Sequence, residues 1–589
     1  MSASSKRSRG GSALEPELVL LWGAIVLVAT VLGLVWAASH LAGDGVPAGA
    51  ALPGNPFELV RGLIDGSIDW TRATTVALVA MLVSTAAVAA GAFAGVKRWR
   101  GRATRSDRAA SKMGRGRDLG ALSRRGAGET AKRLGVDSPG LPIARTVAGN
   151  QLLYAGWEDV SVDIWGPRTG KSTSRAIPAI LSAPGAVVAT SNKRDLVDAT
   201  RDIRRADGEV WVFDPQGIVD EPVSWWWDPL SFVTDEVRAS ILADVFASAS
   251  RDVTARSDAY FEPAGQDLLA NLLYAAALAR RPIGQVYLWL TDPSDDEPVE
   301  ILREHEAPLL AAALQAVVSA PEKQRGGVFG TAQQMASFMT NSQAMRWVTP
   351  PPDGEQRRQL EPREFVHGQD TLYSLSKEGR GSAGPLVTAL TVAVTDAAEE
   401  HAKGCPQGRL AVPMVVVADE AANCVKWREL PNVYSHYGSR GICVMTILQS
   451  WSQGVEVWGR EGMRKLWSAA NVKVYGGGVA EVEFLQELSQ LIGDFDLDTI
   501  AVSHGRGGRS VNHSTRRERV MEVAELGALP RGRAIVFASG APATLVRTLP
   551  WMEGPQAKEV RASIRAHDPA AEKTIAAAQP AATAEGATA

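Results

Sequence analysis

The chain has 589 residues, 45% of them apolar and 22% charged, with a formal net charge of −3. Two or more domains are expected at that length, and the ordinary apolar and charged fractions exclude a chain that is disordered throughout. The three cysteines, Cys405, Cys424 and Cys443, form no CxxC pair, which argues against a disulfide framework or a zinc module and favours reduced thiols in a core.

Residues 18–39 (LVLLWGAIVLVATVLGLVWAAS) carry no charge and are long enough to span a hydrocarbon core as a helix. Residues 73–96 are also uncharged and of similar length, though richer in alanine. Lys6, Arg7 and Arg9 precede the first stretch, and Lys97, Arg98, Arg100 and Arg102 follow the second; only Arg61 and Arg72 lie between. The positive-inside bias then places both chain ends in the cytoplasm, with a short outside loop at 40–72. The expectation for residues 1–96 is a membrane anchor of two transmembrane helices. Residues 97–133 hold thirteen Lys/Arg against three Asp/Glu, so 97–140 read as a basic juxtamembrane linker suited to anionic lipid or to nucleic-acid phosphates.

From Leu152 onward short β-prone runs alternate with helical ones, the pattern of a largely parallel sheet. SVDI leads into WGPRTGKST (165–173) and then the helix-compatible SRAIPAI. Strand, glycine-rich turn, Gly-Lys-Ser and helix are the order of a phosphate-binding loop. Gly166 and Gly170 permit the tight path through Pro167, Arg168 and Thr169, and backbone N–H groups converge on a phosphate at the helix start, Ser172-Thr173. Lys171 would reach the β- and γ-phosphates and the Ser172 hydroxyl would ligate Mg²⁺. The usual spacing puts four residues between the first glycine and Gly-Lys; here three intervene, and Trp165 stands where that glycine is expected.

GAVVATS (185–191) and EVWVFDP (209–215) read as further buried strands, completing a first nucleotide-binding part over 141–234. Residues 235–350 read almost entirely helical, with apolar residues at three- and four-residue intervals in FEPAGQDLLANLLYAAALA and EAPLLAAALQAVVSA. After the proline-rich WVTPPPDGEQ, strand character returns in DTLYSLS, so 351–567 form a second nucleotide-binding part around an all-α insertion. In PMVVVADEAAN (413–423) a buried strand ends in Asp419-Glu420, where the aspartate can hold Mg²⁺ and the glutamate can polarise water. Gln449 ends another buried strand, GICVMTILQ, as a candidate γ-phosphate sensor, and Arg440 before it is a candidate arginine finger toward a neighbouring subunit. Arg506 and Arg509 in HGRGGRS are candidates for DNA phosphate contact. The Ala/Pro/Thr-rich tail, 568–589, reads as disordered.

These features together resemble the type IV coupling proteins of the TraG/TraD kind. The resemblance rests on the two N-terminal stretches, GPRTGKST, TSNKRDLVDATRDIRRADGEVWVFDP, the helical insertion, VVVADEAANC, SRGICVMTILQSWSQ, NVKVYGGG and ELGALPRGRAIVFASGAPATLVRTLPW. It implies an α/β RecA-like P-loop NTPase with an inserted all-α domain, using ATP and Mg²⁺ through Lys171, Ser172, Asp419, Glu420 and Gln449, with Arg440 a looser match. It also implies a homohexamer in the bacterial inner membrane that passes single-stranded DNA with its relaxase, or protein, to the components of a type IV secretion channel. An FtsK-like double-stranded DNA translocase and a receptor for secreted effector proteins without a DNA role are the alternative readings.

Overall fold

The computed structural model describes residues 16–43, 45–46, 51–100, 106–250, 258–379, 382–505 and 508–578. Contacts divide the chain into one unit up to Thr104 and a second from Arg105.

In the first unit, helices Pro16–Ala42 and Arg72–Arg100 cover both stretches read as membrane spans. A short helix, Pro56–Ile64, lies between them, capped by the Asn55 side chain accepting from Phe57 N at 3.0 Å. Ala38 and Leu59 are buried, whereas Trp22, Val28, Val31, Val76, Val79, Val83 and Val88 are exposed. Among the described residues, no helix is long and apolar enough to cross a membrane.

The second unit is built on one large sheet. In chain order its strands are β1 (Leu141–Thr146), β2 (Leu152–Ala155), β3 (Ser161–Ile164), β4 (Val187–Ser191) and β5 (Val210–Phe213). A small pair, β6 (Trp225–Trp226) and β7 (Arg358–Gln359), stands apart from it. The chain returns with β8 (Thr371–Leu375), β9 (Met414–Ala418), β10 (Ile442–Leu448) and β11 (Val472–Tyr475). It continues through a separate hairpin, β12 (Asp494–Gly505) and β13 (Gly508–Arg519), to β14 (Arg533–Ala538) and β15 (Ala541–Arg547). The order is β2-β1-β15-β14-β11-β3-β10-β9-β4-β8-β5; the run from β11 to β5 is parallel and the remainder antiparallel.

The parallel strands are apolar on both faces because both are covered. In β9, Val416 and Ala418 join a core shared with the helices of 236–345, while Val415 and Val417 join one shared with Ile177, Ile180, Leu196 and Ile564. Helices run from Glu236–Ser250 to Ser342–Met345 between β6 and β7, and their apolar faces enter the first of these cores.

Two expectations are corrected. The segment read as a linker folds within the second unit from residue 106. It has short 3-10 turns, a helix at Arg124–Arg133 capped by Ser123, and buried Ala110, Leu119 and Ala131. Partners hundreds of residues away hold it: Arg533 clasps Asp107 at 2.7 and 3.0 Å, and Gly114 N donates to Ala543 O at 2.9 Å. The tail is also not disordered from residue 568, because Ala571–Ala578 is helical and buries Ile575. Residues 579–589 lie outside the described residues.

Candidate functional site

The phosphate-loop sequence connects the carboxyl end of β3 to a helical segment that begins as a π-turn, Ser172–Ala176, and continues as Ile177–Ser182. Gly170 has φ +97°, and Arg168, which cannot take such a backbone without strain, has φ +61°. The loop braces itself through Thr169 Oγ1 to Gly166 O (2.6 Å) and Thr173 Oγ1 to Gly170 O (3.0 Å).

Trp165, in place of the usual first glycine, is fully buried. Its ring lies on Gly476, where an added Cβ would fall 2.0 Å from ring carbons, and Gly166 N donates to Gly477 O at 2.9 Å. A Cβ on Gly166 would fall 2.0 Å from Gly478 O. The glycine run after β11 is thus the shape that the short loop and its tryptophan require. Trp165 Nε1 also donates to Asp163 Oδ2 at 3.4 Å, and Asp163, on β3, pairs with the buried Arg175 at 2.6 and 3.3 Å. Arg175 reaches Pro142 O as well, tying the segment after the loop to β1 and β3.

Opposite the loop, β9 ends at Asp419-Glu420. Lys171 Nζ donates to Asp419 Oδ1 at 2.9 Å and to Glu420 Oε1, and Ser172 Oγ donates to Asp419 Oδ2 at 3.4 Å. Gln449, just past β10, donates through Nε2 to both Glu420 oxygens at 2.6 and 2.7 Å. Glu420 has φ +53°, a left-handed backbone that costs a non-glycine residue about 1–3 kcal/mol. Backbone N–H groups of Asn423 and Cys424 bond its carbonyl oxygen and fix this conformation.

Burial works against charge on both sides of this cluster. It lifts the Asp419 carboxyl above its usual range despite the neighbouring ammonium. Burial would lower Lys171, but the two carboxylates outweigh it and hold the ammonium above its ordinary value. Asp195, opening the helix after β4, joins the same field: desolvation first and the Asp419 charge second push it up to about 6. Lys171 therefore faces two carboxylates directly, and Asp195 adds a third acid whose charge Lys193 and Lys171 offset only in part. Beside a phosphate-type loop, that charge excess suits an anion only when a cation comes with it, and Ser172 Oγ and Asp419 Oδ2 are adjacent ligands for one.

A family model described as "Type IV secretory system Conjugative DNA transfer" matches residues 121–349, and one described as "TraM recognition site of TraD and TraG" matches 413–531. The chain belongs to the type IV coupling proteins. Solved structures agree in fold. An unbound form of the bacterial conjugative coupling protein TrwBdeltaN70 is 18% identical with a TM-score of 0.51, over 71% of this chain and 91% of that one. TrwB in complex with ADP and Mg2+ is 17% identical with a TM-score of 0.50, over 72% and 92%. Among curated proteins, no sequence match is found.

In this coupling protein the sequence-predicted Lys171, Ser172, Asp419, Glu420 and Gln449 come together at the carboxyl ends of β3, β9 and β10. Arg440 does not join them. It precedes β10, at the opposite end from Gln449, and its guanidinium donates to Gly408 O at 2.8 Å and to His436. Arg506 lies outside the described residues, and Arg509 falls in β13, where only the backbone is described. Sequence reading missed Asp195 and the Asp163–Arg175 pair. The RDLVDATRDIRRA run shows an acid near a helix start, but only the sheet order brings it to Asp419. Cys424 and Cys443 are buried and free, with burial pushing the Cys443 thiol up to about 12; Cys405 is only half-buried.

Proposed function

We propose that this coupling protein hydrolyses ATP at the Lys171–Asp419–Glu420–Gln449 cluster and uses the cycle to pass DNA with its relaxase, or protein, into a type IV secretion channel. The observation that carries the proposal is the double ion pair of Lys171 with the two carboxylates that end β9.

In this reading Lys171 exchanges its carboxylate partners for phosphate oxygens. The loop amides and the start of the following helix add fixed positive potential where charge develops. Mg²⁺, held by Ser172 and Asp419, supplies charge neutralisation when bound. Glu420 is aimed by its backbone and by Gln449, and accepts the proton of the attacking water. Gln449 then reports loss of the terminal phosphate to β10. Arg440 is the candidate to act in trans in a homohexamer, once freed from Gly408.

The exposed valines and Trp22 of the first unit, with the charge bias of the flanking segments, support a two-helix anchor in the inner membrane with both termini cytoplasmic. Translocated strands would meet Arg506 and Arg509, the basic residues of HGRGGRS, through phosphate contacts. The test is a mating assay. Lys171→Ala should abolish transfer while the protein is still found in the membrane fraction; transfer at the wild-type frequency would refute the proposal.

A further inference from the structure

The turn before β14 lies against the phosphate loop. Arg533 N donates to Pro530 O at 3.0 Å across Arg531 and Gly532, and Gly532 has φ +85°, as the third residue of a type II turn requires. Space does not explain that glycine, since an added Cβ would meet nothing within 4 Å; the backbone conformation does. The turn is fixed on both sides. Leu529 packs on Gly477, with its carbonyl oxygen 3.0 Å from where a Cβ of Gly477 would stand, and Arg533 is clamped by Asp107. Thr548 N holds Gly532 O at 3.1 Å.

At the tip of this turn stands Arg531. Its Nε lies 3.9 Å from the Cβ position of Gly170, the left-handed glycine immediately before Lys171. Unlike Arg533, Arg531 is exposed and has no ion pair or hydrogen-bond partner among the described residues. An unpaired guanidinium on a rigid turn, touching a phosphate-type loop, is placed to accept a bidentate anion.

The geometry points to Arg531 as a cis ligand of the nucleotide's diphosphate portion, on the side of the loop opposite the Asp419–Glu420 carboxylates. The inference rests on the ATP-site reading above. It names a contact from the segment that follows the hairpin, more than 350 residues from Lys171 in sequence. The short loop has one residue fewer to surround a phosphate, and Arg531 restores donors at that position. Because it sits by Gly170 and away from Glu420, it binds nucleotide without serving the proton transfer.

The experiment measures equilibrium binding of fluorescent ADP and of a non-hydrolysable ATP analogue to the full-length protein with Mg²⁺. Arg531→Ala should weaken both by about tenfold, and Arg531→Lys, which keeps the charge but loses the fork, should recover about half of that loss on a logarithmic scale. Unfolding of the nucleotide-free protein should be unchanged, since Arg531 contacts no partner. Unchanged affinity for both nucleotides overturns the inference, and a loss confined to the ATP analogue overturns its assignment to the diphosphate. Lys171→Ala in the same assay separates the two readings. If that variant loses binding while Arg531→Ala does not, only the Arg531 contact fails; if Lys171→Ala binds normally, the ATP site itself is refuted.

Discussion

Replacing Gly476 by alanine tests whether the glycine run after β11 is the complement of the short phosphate loop. The new Cβ would sit 2.0 Å from Trp165 Cδ2 and Cε3 and 2.6 Å from Cε2. Carbon atoms in contact prefer about 3.5–4.0 Å, so the ring must retreat by about 1.5 Å. It has no free direction: Trp165 is fully buried, its N–H is bonded to Leu448 O at 2.9 Å, and its indole N–H points to Asp163. Overpacking of this kind costs about 1–3 kcal/mol, and the lack of an escape route places Gly476→Ala near 3. The displaced loop should also weaken nucleotide binding at least tenfold. Gly404, at the end of a long helix with nothing within 4 Å of its Cβ position, is the control, where alanine should be neutral or slightly stabilising. Denaturant unfolding of the two single variants, of Trp165→Ala and of the double variant Trp165→Ala/Gly476→Ala gives the coupling. Trp165→Ala alone should cost about 3–5 kcal/mol, and the double variant about 1–3 kcal/mol less than the sum. An additive cycle, or a Gly476→Ala variant as stable as Gly404→Ala, would refute the packing account of Trp165.

Other outcomes follow from the charges of the site. Lys171→Ala leaves two buried carboxylates without their ammonium, which should destabilise the nucleotide-free protein by about 3–5 kcal/mol near pH 7.5. Burial already raises the Asp419 carboxyl, and loss of the ammonium that opposes this raises it further, so the variant's stability should rise between pH 7.5 and 5; a melting temperature flat over that range contradicts the ion-pair description. For Asp195, the folded value of about 6 exceeds the ordinary 3.8, so its carboxylate costs stability as pH rises through that interval and the cost is complete above it. At about 1.4 kcal/mol per unit the ceiling is about 3 kcal/mol, and partial solvent exposure reduces this to about 1. Asp195→Asn should therefore be more stable than wild type by that amount at pH 7.5 and equal to it below pH 4, as read by denaturant unfolding; equal stability at both pH values would place Asp195 in solvent.

Much of this arrangement was legible in the residue order because its signals are local. A buried run ending in Asp419-Glu420, another ending in Gln449, and Gly170-Lys171-Ser172 after SVDI are each readable within ten residues. Parallel pairing then forces their carboxyl ends together. What escaped depends on contacts distant in sequence. Trp165 was unexplained until Gly476 lay against it, and the basic segment around Asp107 looked like a linker because its partners, Arg533 and Ala543, come more than 400 residues later. A local pattern carries charge and periodicity but not the buried surface that such partners supply. Ile575 likewise makes an alanine-rich tail helical by finding a core to enter.

The central claim is that Glu420, held by Gln449 in a left-handed backbone, takes the proton from water while Lys171 and the loop bind the nucleotide. It is tested most directly by the steady-state ATPase rate of full-length Glu420→Gln, measured alongside its ATP affinity. A neutral isostere keeps the shape and removes the base, so turnover should fall at least about a hundredfold with ATP binding retained. Hydrolysis at the wild-type rate with ATP fully bound would contradict the account.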